Sequence, residues 1–395
     1  MFKMKYLFSF CLTLLLSVNL SAQNFVNQVL VLNEGYYNYS SSEIVEPVSI
    51  GSYNPFTELY TIIDTIENAR FASDIILHDE FYYVAADSFL IKYDLNTNEL
   101  LHQVTVPGIR NIAFFENNLF VSRGDNQKFD SYLQVYKSDD LSFVSQFDTL
   151  SGPKYASQNI IINGDKLFIA INNGFEFGNP MGLVGVVDLN NMLYDMEIDL
   201  GPDGKNPDNM MSDGSFLYTV NNKDWTGTSI SKISLTDYEV TTTNISNAST
   251  GCGTSAFRNG KVIYQISQTS ELLEWDPEQL NNFGELLEIS SSFYDLSYDD
   301  VDDYLYASTT DYVSFGKVFI YNSENQLVKE FDCGVSPGTI VFDIRNTSGI
   351  SSYSIGNSFS NQIYDLKGNK ISSLKNVKGG IYIANGKKTM VLPNY

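Results

Sequence analysis

Seven stretches of this chain repeat one plan: a short apolar strand, a polar turn, a second strand, a loop, then a third strand that usually ends on an aromatic-polar turn. The second strands run from Val29 to Leu32, Tyr82 to Ala85, Leu119 to Ser122, Leu167 to Ala170, Leu217 to Val220, Val262 to Gln265 and Leu305 to Ser308. The third strands close at Tyr53-Asn54-Pro55, Tyr93-Asp94, Tyr136-Lys137, Val187-Asp188, Ile233-Ser234, Trp275-Asp276 and Tyr321-Asn322. A period of roughly 40 to 50 residues with about four short strands per unit marks a β-propeller.

Aligning the second strands brings the first strands into line. They begin Ser73-Asp74, Arg110-Asn111, Gln158-Asn159, Asp208-Asn209, Gly253-Thr254 and Tyr294-Asp295. The repeat at Val29 has no such strand before it, but Gly338-Thr339-Ile340-Val341-Phe342-Asp343 supplies one at the far end. Thr339 to Arg345 is therefore expected to be the innermost strand of the first blade, whose other strands come from residues 29 to 70. Such closure pairs edges that a ring of sheets would otherwise leave open. The fold class read here is all-β: a seven-bladed propeller closed by a C-terminal strand completing blade 1, with a small C-terminal β module. Its turns between first and second strands, such as Asn163-Gly164-Asp165 and Arg258-Asn259-Gly260, are short hairpin signals on one rim. The variable loops fall on the opposite rim, where function usually sits.

The ends of the chain read differently. Lys3, Lys5 and the apolar stretch from Leu7 to Leu16, followed by Leu20-Ser21-Ala22, form a cleavable leader over residues 1–22, too short to span a bilayer comfortably. The propeller covers 23–345, a Ser-rich linker 346–361, and the last segment, 362–395, carries strand-like runs at Gln362 to Asp365, Gly380 to Ala384 and Lys388 to Leu392. Cys252 and Cys333 are then the only cysteines, too few for a disulfide framework and without metal-site spacing; two small buried side chains or a single bridge are the open alternatives.

Charge narrows the partners. With 24 Lys+Arg against 47 Asp+Glu the net charge is −23, which repels nucleic acid and anionic membrane surfaces.

The tail Ile363-Tyr364-Asp365-Leu366-Lys367-Gly368, with Lys378-Gly379-Gly380-Ile381-Tyr382-Ile383 and Asn385-Gly386-Lys387-Lys388, resembles the C-terminal sorting signal of type IX secretion. It lacks the opening Asn-Pro strand of the longer sorting domains. The resemblance implies passage across the outer membrane by that machinery. The repeats resemble the YncE-like propellers, which carry the aromatic-Asp turn seen at Tyr93-Asp94. The opening Val31-Leu32-Asn33-Glu34-Gly35, with Asn38 and Ser52-Tyr53-Asn54-Pro55, is similar to that of surface propellers, some of which capture cobalamin for an outer-membrane transporter. Those cobalamin binders are usually lipoproteins, whereas this chain has no lipobox.

Material for catalysis is sparse. The two histidines, His78 in an expected hairpin turn and His102 in an outer strand, offer neither a triad nor a metal cage. Asp299, Asp300, Asp302 and Asp303 are dense enough for Ca²⁺ but occupy a hairpin slot, so a solvated turn is expected. No catalytic residue, metal ligand or cofactor is assigned.

The variable rim carries the binding signal. Three of the five arginines, Arg70, Arg110 and Arg123, fall there in neighbouring blades, and scarce guanidiniums in an acidic protein point to a carboxylate or phosphate on a ligand. Beside them lie Tyr36, Tyr37, Phe71, Tyr155, Phe175, Phe177, Trp225, Tyr294 and Tyr312, with amides at Asn38, Asn126, Asn173, Asn222 and Gln268. The column Asp74, Asn111, Asn159, Asn209, Thr254, Asp295 and Thr339 marks the mouth of the central channel, either bonding the backbone of the next blade or touching ligand.

The expected function is a secreted or outer-membrane, cell-surface binding propeller for a small molecule or surface ligand, with a corrinoid the most specific guess. The alternatives are an adhesion or surface-layer protein and a propeller enzyme such as a carbohydrate lyase or lactonase.

Overall fold

The structure, a computed structural model, describes residues 24–251, 254–267, 269–279 and 283–346, and four short strands of the tail. The leader, Cys252, Gln268 and the linker beyond residue 346 lie outside the described residues. One compact unit comprises Asn24–Arg345, and the tail strands belong to the other.

Seven four-stranded antiparallel sheets make up the large unit. From the inside outward, blade 1 is Pro337–Asn346, Asn24–Asn33, Val48–Asn54 and Leu59–Ile66. Blade 2 is Ala72–His78, Phe81–Ala86, Phe89–Asp94 and Leu100–Thr105, and blade 3 is Ile109–Phe115, Asn118–Arg123, Ser131–Lys137 and Phe143–Asp148. Blades 4 to 7 repeat the order from innermost strands Ser157–Asn163, Pro207–Ser212, Ser255–Arg258 and Leu296–Asp299. The closing strand is longer than the expected Thr339 to Arg345 by two residues at its start and one at its end. Blade 1 also carries a hairpin of Tyr36–Asn38 against Glu43–Glu46 that the repeat pattern did not foretell.

Why such uniformly apolar second strands? They are covered on both faces, and the alternation of side chains sends each face to a different seam. Leu30 and Leu32 pack with Ile75, Tyr82 and Val84 of blade 2, while Val29 and Val31 pack with Tyr306, Val318 and Ile320 of blade 7. Among the described residues every one of the seven seams has its own buried cluster. The core is therefore a ring of interfaces between sheets.

The aromatic-polar turn has a local cause. Asp94 Oδ1 accepts the backbone N–H groups of Asn96 and Thr97, and Asn54 Oδ1 accepts those of Phe56 and Thr57. This side-chain-capped turn reverses the chain between third and fourth strands. The aromatic one residue earlier is buried between blades: Tyr53 stacks on Phe331 with ring centroids 4.2 Å apart.

Two local expectations are corrected. His78 is the last residue of an innermost strand, its ring stacked on Phe114 at 3.2 Å between centroids, because the turn proper is Asp79-Glu80. Asp299 is fully buried, with its Oδ1 accepting the N–H groups of Val301 and Asp302, so only the rest of that acidic run is a candidate for a solvated turn. The tail forms four strands, in the order Lys370–Ile371, Ile363–Asp365, Gly380–Ala384 and Lys387–Val391. The Asn385-Gly386 turn falls outside the described residues.

Candidate functional site

Antiparallel pairing puts the start of each innermost strand beside the end of the second strand, at the rim that also carries the loops between blades. In blades 2 to 5 the innermost strand holds one extra residue there. The register slips between Ala72 and Asp74, Ile109 and Ile112, Ser157 and Ile160, and Pro207 and Asn209. A β-bulge of this kind re-aims side chains and is favoured at barrel rims and sites. The bulged segments hold Ser73, Arg110-Asn111, Gln158-Asn159 and Asp208.

Arg110 is within electrostatic reach of both Glu34 and Asp208. These residues belong to blades 1, 3 and 5, which do not adjoin, so they meet only across the middle of the ring. In blade 1 the equivalent strand position is Gly338, where a Cβ would collide with the Glu34 carboxylate. The bare glycine lets Glu34, from the loop after the second strand, take that place. Tyr294 of blade 7 donates its hydroxyl to Glu34 Oε1 at 2.7 Å, and its ring meets that of Tyr312 edge-on at 5.4 Å.

The mouth holds carboxyls in an unusual state. Each of Glu34, Asp208 and Asp295 is surrounded by protein but keeps some water access. Burial pushes Glu34 up to about 7 against the Tyr294 hydrogen bond and Arg110. It raises Asp208 to about 6 against Arg110. Asp295 is pushed up to about 7 by burial, with bonds from Ser297 and the Leu296 and Ile340 backbone opposing and Glu34 adding to the rise. Asp74, at the same position of its strand as Asp295, is raised by burial to about 6, although its Oδ2 accepts Ile112 N–H at 2.8 Å. Among the described residues no three His, Cys, Asp or Glu side chains group closely enough to hold a metal ion.

The three rim arginines separate. Arg123 is only 5% exposed, donating from Nε to the Pro107 carbonyl and from Nη1 to the Ser131 carbonyl, both at 2.9 Å, over the Phe129 ring. It braces its own blade, and a ligand has no access to its bonded edge. Arg70 forms a two-pronged pair with Asp87, at 2.8 and 2.6 Å, and lies over Tyr37 and Phe71. Arg110 donates Nε to Gln158 Oε1 at 3.2 Å and lies over Phe175, 5.3 Å from its centroid. Between Arg70 and Arg110 a cleft of about 230 Å³ opens, lined also by Phe71, Asp87, Asp125 and Phe175.

The other rim residues scatter. Asn38 Oδ1 caps its own turn at Ser40 and Ser41, and Tyr36 lies in the same hairpin. Tyr155 packs against the seam of blades 3 and 4. Asn126, Phe177 (96% exposed) and Trp225 (56% exposed) stand on the surface, Trp225 on a short 3-10 turn. Asn173 Nδ2 donates to Glu176 and to the Asn179 carbonyl, and Asn222 Nδ2 to the Gly251 carbonyl. In the polar column, Asp74 and Thr254 accept the amides of Ile112 and Leu296 in the next blade. Asn111 hydrogen-bonds Asp74, Asn159 Oδ1 is buried without a partner, and Asn209 opposes Val220 in its sheet.

Sequence reasoning missed Glu34, Gln158, Asp208 and Asp87. The signal for two of them was present: Gln158 and Asp208 align with Arg110 and Tyr294, one place before the polar column.

No family model matches the chain, and no curated protein does. Solved structures do match. A quinonprotein alcohol dehydrogenase-like protein from Bacteroides thetaiotaomicron superposes with TM-score 0.58 and 15% identity, over 81% of this chain and 79% of that one. A hypothetical selenium-binding protein from Sulfolobus tokodaii gives TM-score 0.59 and 10% identity, over 80% and 94%. A provisionally named 6-phosphogluconolactonase from Bacteroides fragilis gives 0.56 and 13%, over 80% and 98%. At these identities the likeness is one of fold, and the chain is a seven-bladed β-propeller.

Proposed function

We propose that this chain is an exported, non-enzymatic binding propeller that works at the cell surface and holds its ligand on the loop rim of blades 1 to 4. The observation that carries the reading is the cleft between Arg70 and Arg110, floored by Phe71 and Phe175 beside the channel mouth. The Arg110 guanidinium and two flat apolar faces, beside an Arg70 already held by Asp87, suit a ligand with one anionic group and an apolar body. At about 230 Å³ the cleft takes a phosphate-sized portion, and the rest of a larger ligand lies over the rim. A corrinoid has that make-up, with amides for Gln158 and the exposed rim. The leader of residues 1–22 and the sorting tail of 362–395 support export and type IX passage, and an outer-membrane transporter is the partner such capture needs.

Thermal unfolding with and without cobalamin tests it, since a ligand that binds only the folded state raises the midpoint with its excess over Kd. A rise that Arg110→Ala removes is expected. An unchanged midpoint at millimolar cobalamin retires the corrinoid.

A second reading rests on the mouth carboxyls. Carboxyls that hold protons near neutrality are what a general acid requires. Hydrolysis of a sugar lactone, abolished by Glu34→Gln, would establish a propeller enzyme instead.

A further inference from the structure

We propose that the outer groove between blades 1 and 2, built around Asp64 and Tyr93, is a second binding site, for the ring of a neutral hexose. It shares no lining residue with the arginine cleft and does not depend on the corrinoid reading.

Position in the sheet is the first argument. Three residues before each aromatic-polar turn, the third strand pairs with one particular residue of the outermost strand. In blades 2 to 7 that residue is Val104, Phe147, Ile198, Thr243, Leu287 and Phe331, and in blade 1 it is Asp64. The apolar ones pack into the seams, and Phe331 covers the Tyr53 ring. A carboxylate cannot fill an apolar seam in that way. Where it stands, a cavity of about 330 Å³ opens between the outer strands, lined among others by Asp64, Glu67, Phe89, Tyr93, Leu100 and Gln103. That volume lies at the small end of ligand pockets and suits a single ring.

Unmet bonding is the second. Tyr93 is fully buried and forms part of the cavity wall, in the place that Tyr53 takes under Phe331. Its hydroxyl, and that of Tyr82 stacked on it at 4.8 Å, have no hydrogen-bond partner among the described residues. Burial and then Asp64 push the Tyr93 hydroxyl well above the usual tyrosine range, so it keeps a proton to donate, yet no bond of full geometry joins the two. A ligand hydroxyl seated between them accepts from Tyr93 and donates to Asp64.

The lining selects the class of ligand. Carboxylates and the Gln103 amide offer planar acceptors and donors that neighbouring sugar hydroxyls match, while Phe89 and Leu100 present apolar surface to the C–H face of a ring. No Lys or Arg lines the cavity, so an anionic ligand would meet two carboxylates uncompensated. A simple cation would leave the donors of Tyr93 and Gln103 unused.

The test is saturation-transfer NMR on the full-length chain with methyl β-D-glucopyranoside, methyl β-D-galactopyranoside and methyl α-D-mannopyranoside, and with methyl β-D-glucuronide as the anionic control. Expected are transfer to the ring protons of at least one neutral glycoside and none to the glucuronide. Asp64→Asn, nearly isosteric on a half-buried side chain, should weaken binding at least about fivefold. Asp64→Phe restores the filling residue of blade 7, so it should abolish transfer while the melting midpoint stays at or above that of the native chain. Silence from all the neutral glycosides, equal transfer to the glucuronide, or transfer that Asp64→Asn leaves unchanged overturns the proposal. That failure leaves the cobalamin experiment untouched, because it probes the arginine cleft.

Discussion

Asp295 and Glu34 are ordinary carboxylates by sequence whose chemistry is set by burial. Their folded pKa values, about 7 for each, lie above the ordinary values of 3.8 and 4.5. The folded state thus binds these protons more tightly than the unfolded chain. The stability they contribute is full below about pH 4 and is lost as pH rises toward 7. Carboxylates depressed by their bonds act the opposite way but at lower pH: in Asp87 burial pushes up and the Arg70 pair more than offsets it. Between about pH 5 and about pH 8 the melting midpoint should therefore fall by several degrees. Asp295→Asn should flatten that slope, as followed by circular dichroism. A native chain equally stable at both ends of the range would refute this account of the mouth.

Between elements, single hydroxyls tie neighbouring blades. Ser308 Oγ accepts Asp295 N–H at 2.9 Å and donates to the Pro337 carbonyl at 2.6 Å, joining blade 7 to the closing strand. Ser122 does the same in blade 3, accepting Asn111 N–H at 3.0 Å and donating to the Gln158 carbonyl at 2.5 Å. Ser308→Ala leaves an amide and a carbonyl unpaired in a buried seam, a loss of about 1–3 kcal/mol. The denaturant midpoint should drop while the slope stays unchanged. These ties also explain the polar column, in which Asp74 and Thr254 fasten the next blade. For those two the structural alternative of the column is the one realised.

At the scale of the whole molecule, stability depends on closing the ring. Pro337–Asn346 completes blade 1 from the far end of the chain. The junction gathers the Tyr53–Phe331 stack, the Lys329–Glu58 ion pair at 2.6 Å, and bonds from Asn27 and Gln28 to Asp343. Ending the chain before Pro337 exposes the inner edge of Asn24–Asn33 and opens the seam on both sides. The midpoint should fall by at least roughly 10 °C, and the truncated protein should associate through its bare edge. A truncated chain that melts with the full-length one would mean that the closing strand is dispensable.

The repeat, the number of blades and the far-end closure were legible in the sequence, because each depends on local alternation and on turns that a short window reveals. Burial on both faces makes second strands apolar, and the capped turn needs Asp or Asn at one place. The site was legible only in part. Arg110 and Tyr294 were singled out by residue type, yet Glu34, Gln158 and Asp208 look like any other polar rim residue in a chain with 47 acidic side chains. Only the ring brings blades 1, 3 and 5 together across its centre, where carboxyls share one guanidinium and hold their protons. Likewise Arg70 and Arg123 read as free cations until the fold supplied Asp87 and two backbone carbonyls. Local pattern determined the scaffold, whereas the charge state and partners of each rim residue were decided by neighbours far away in sequence.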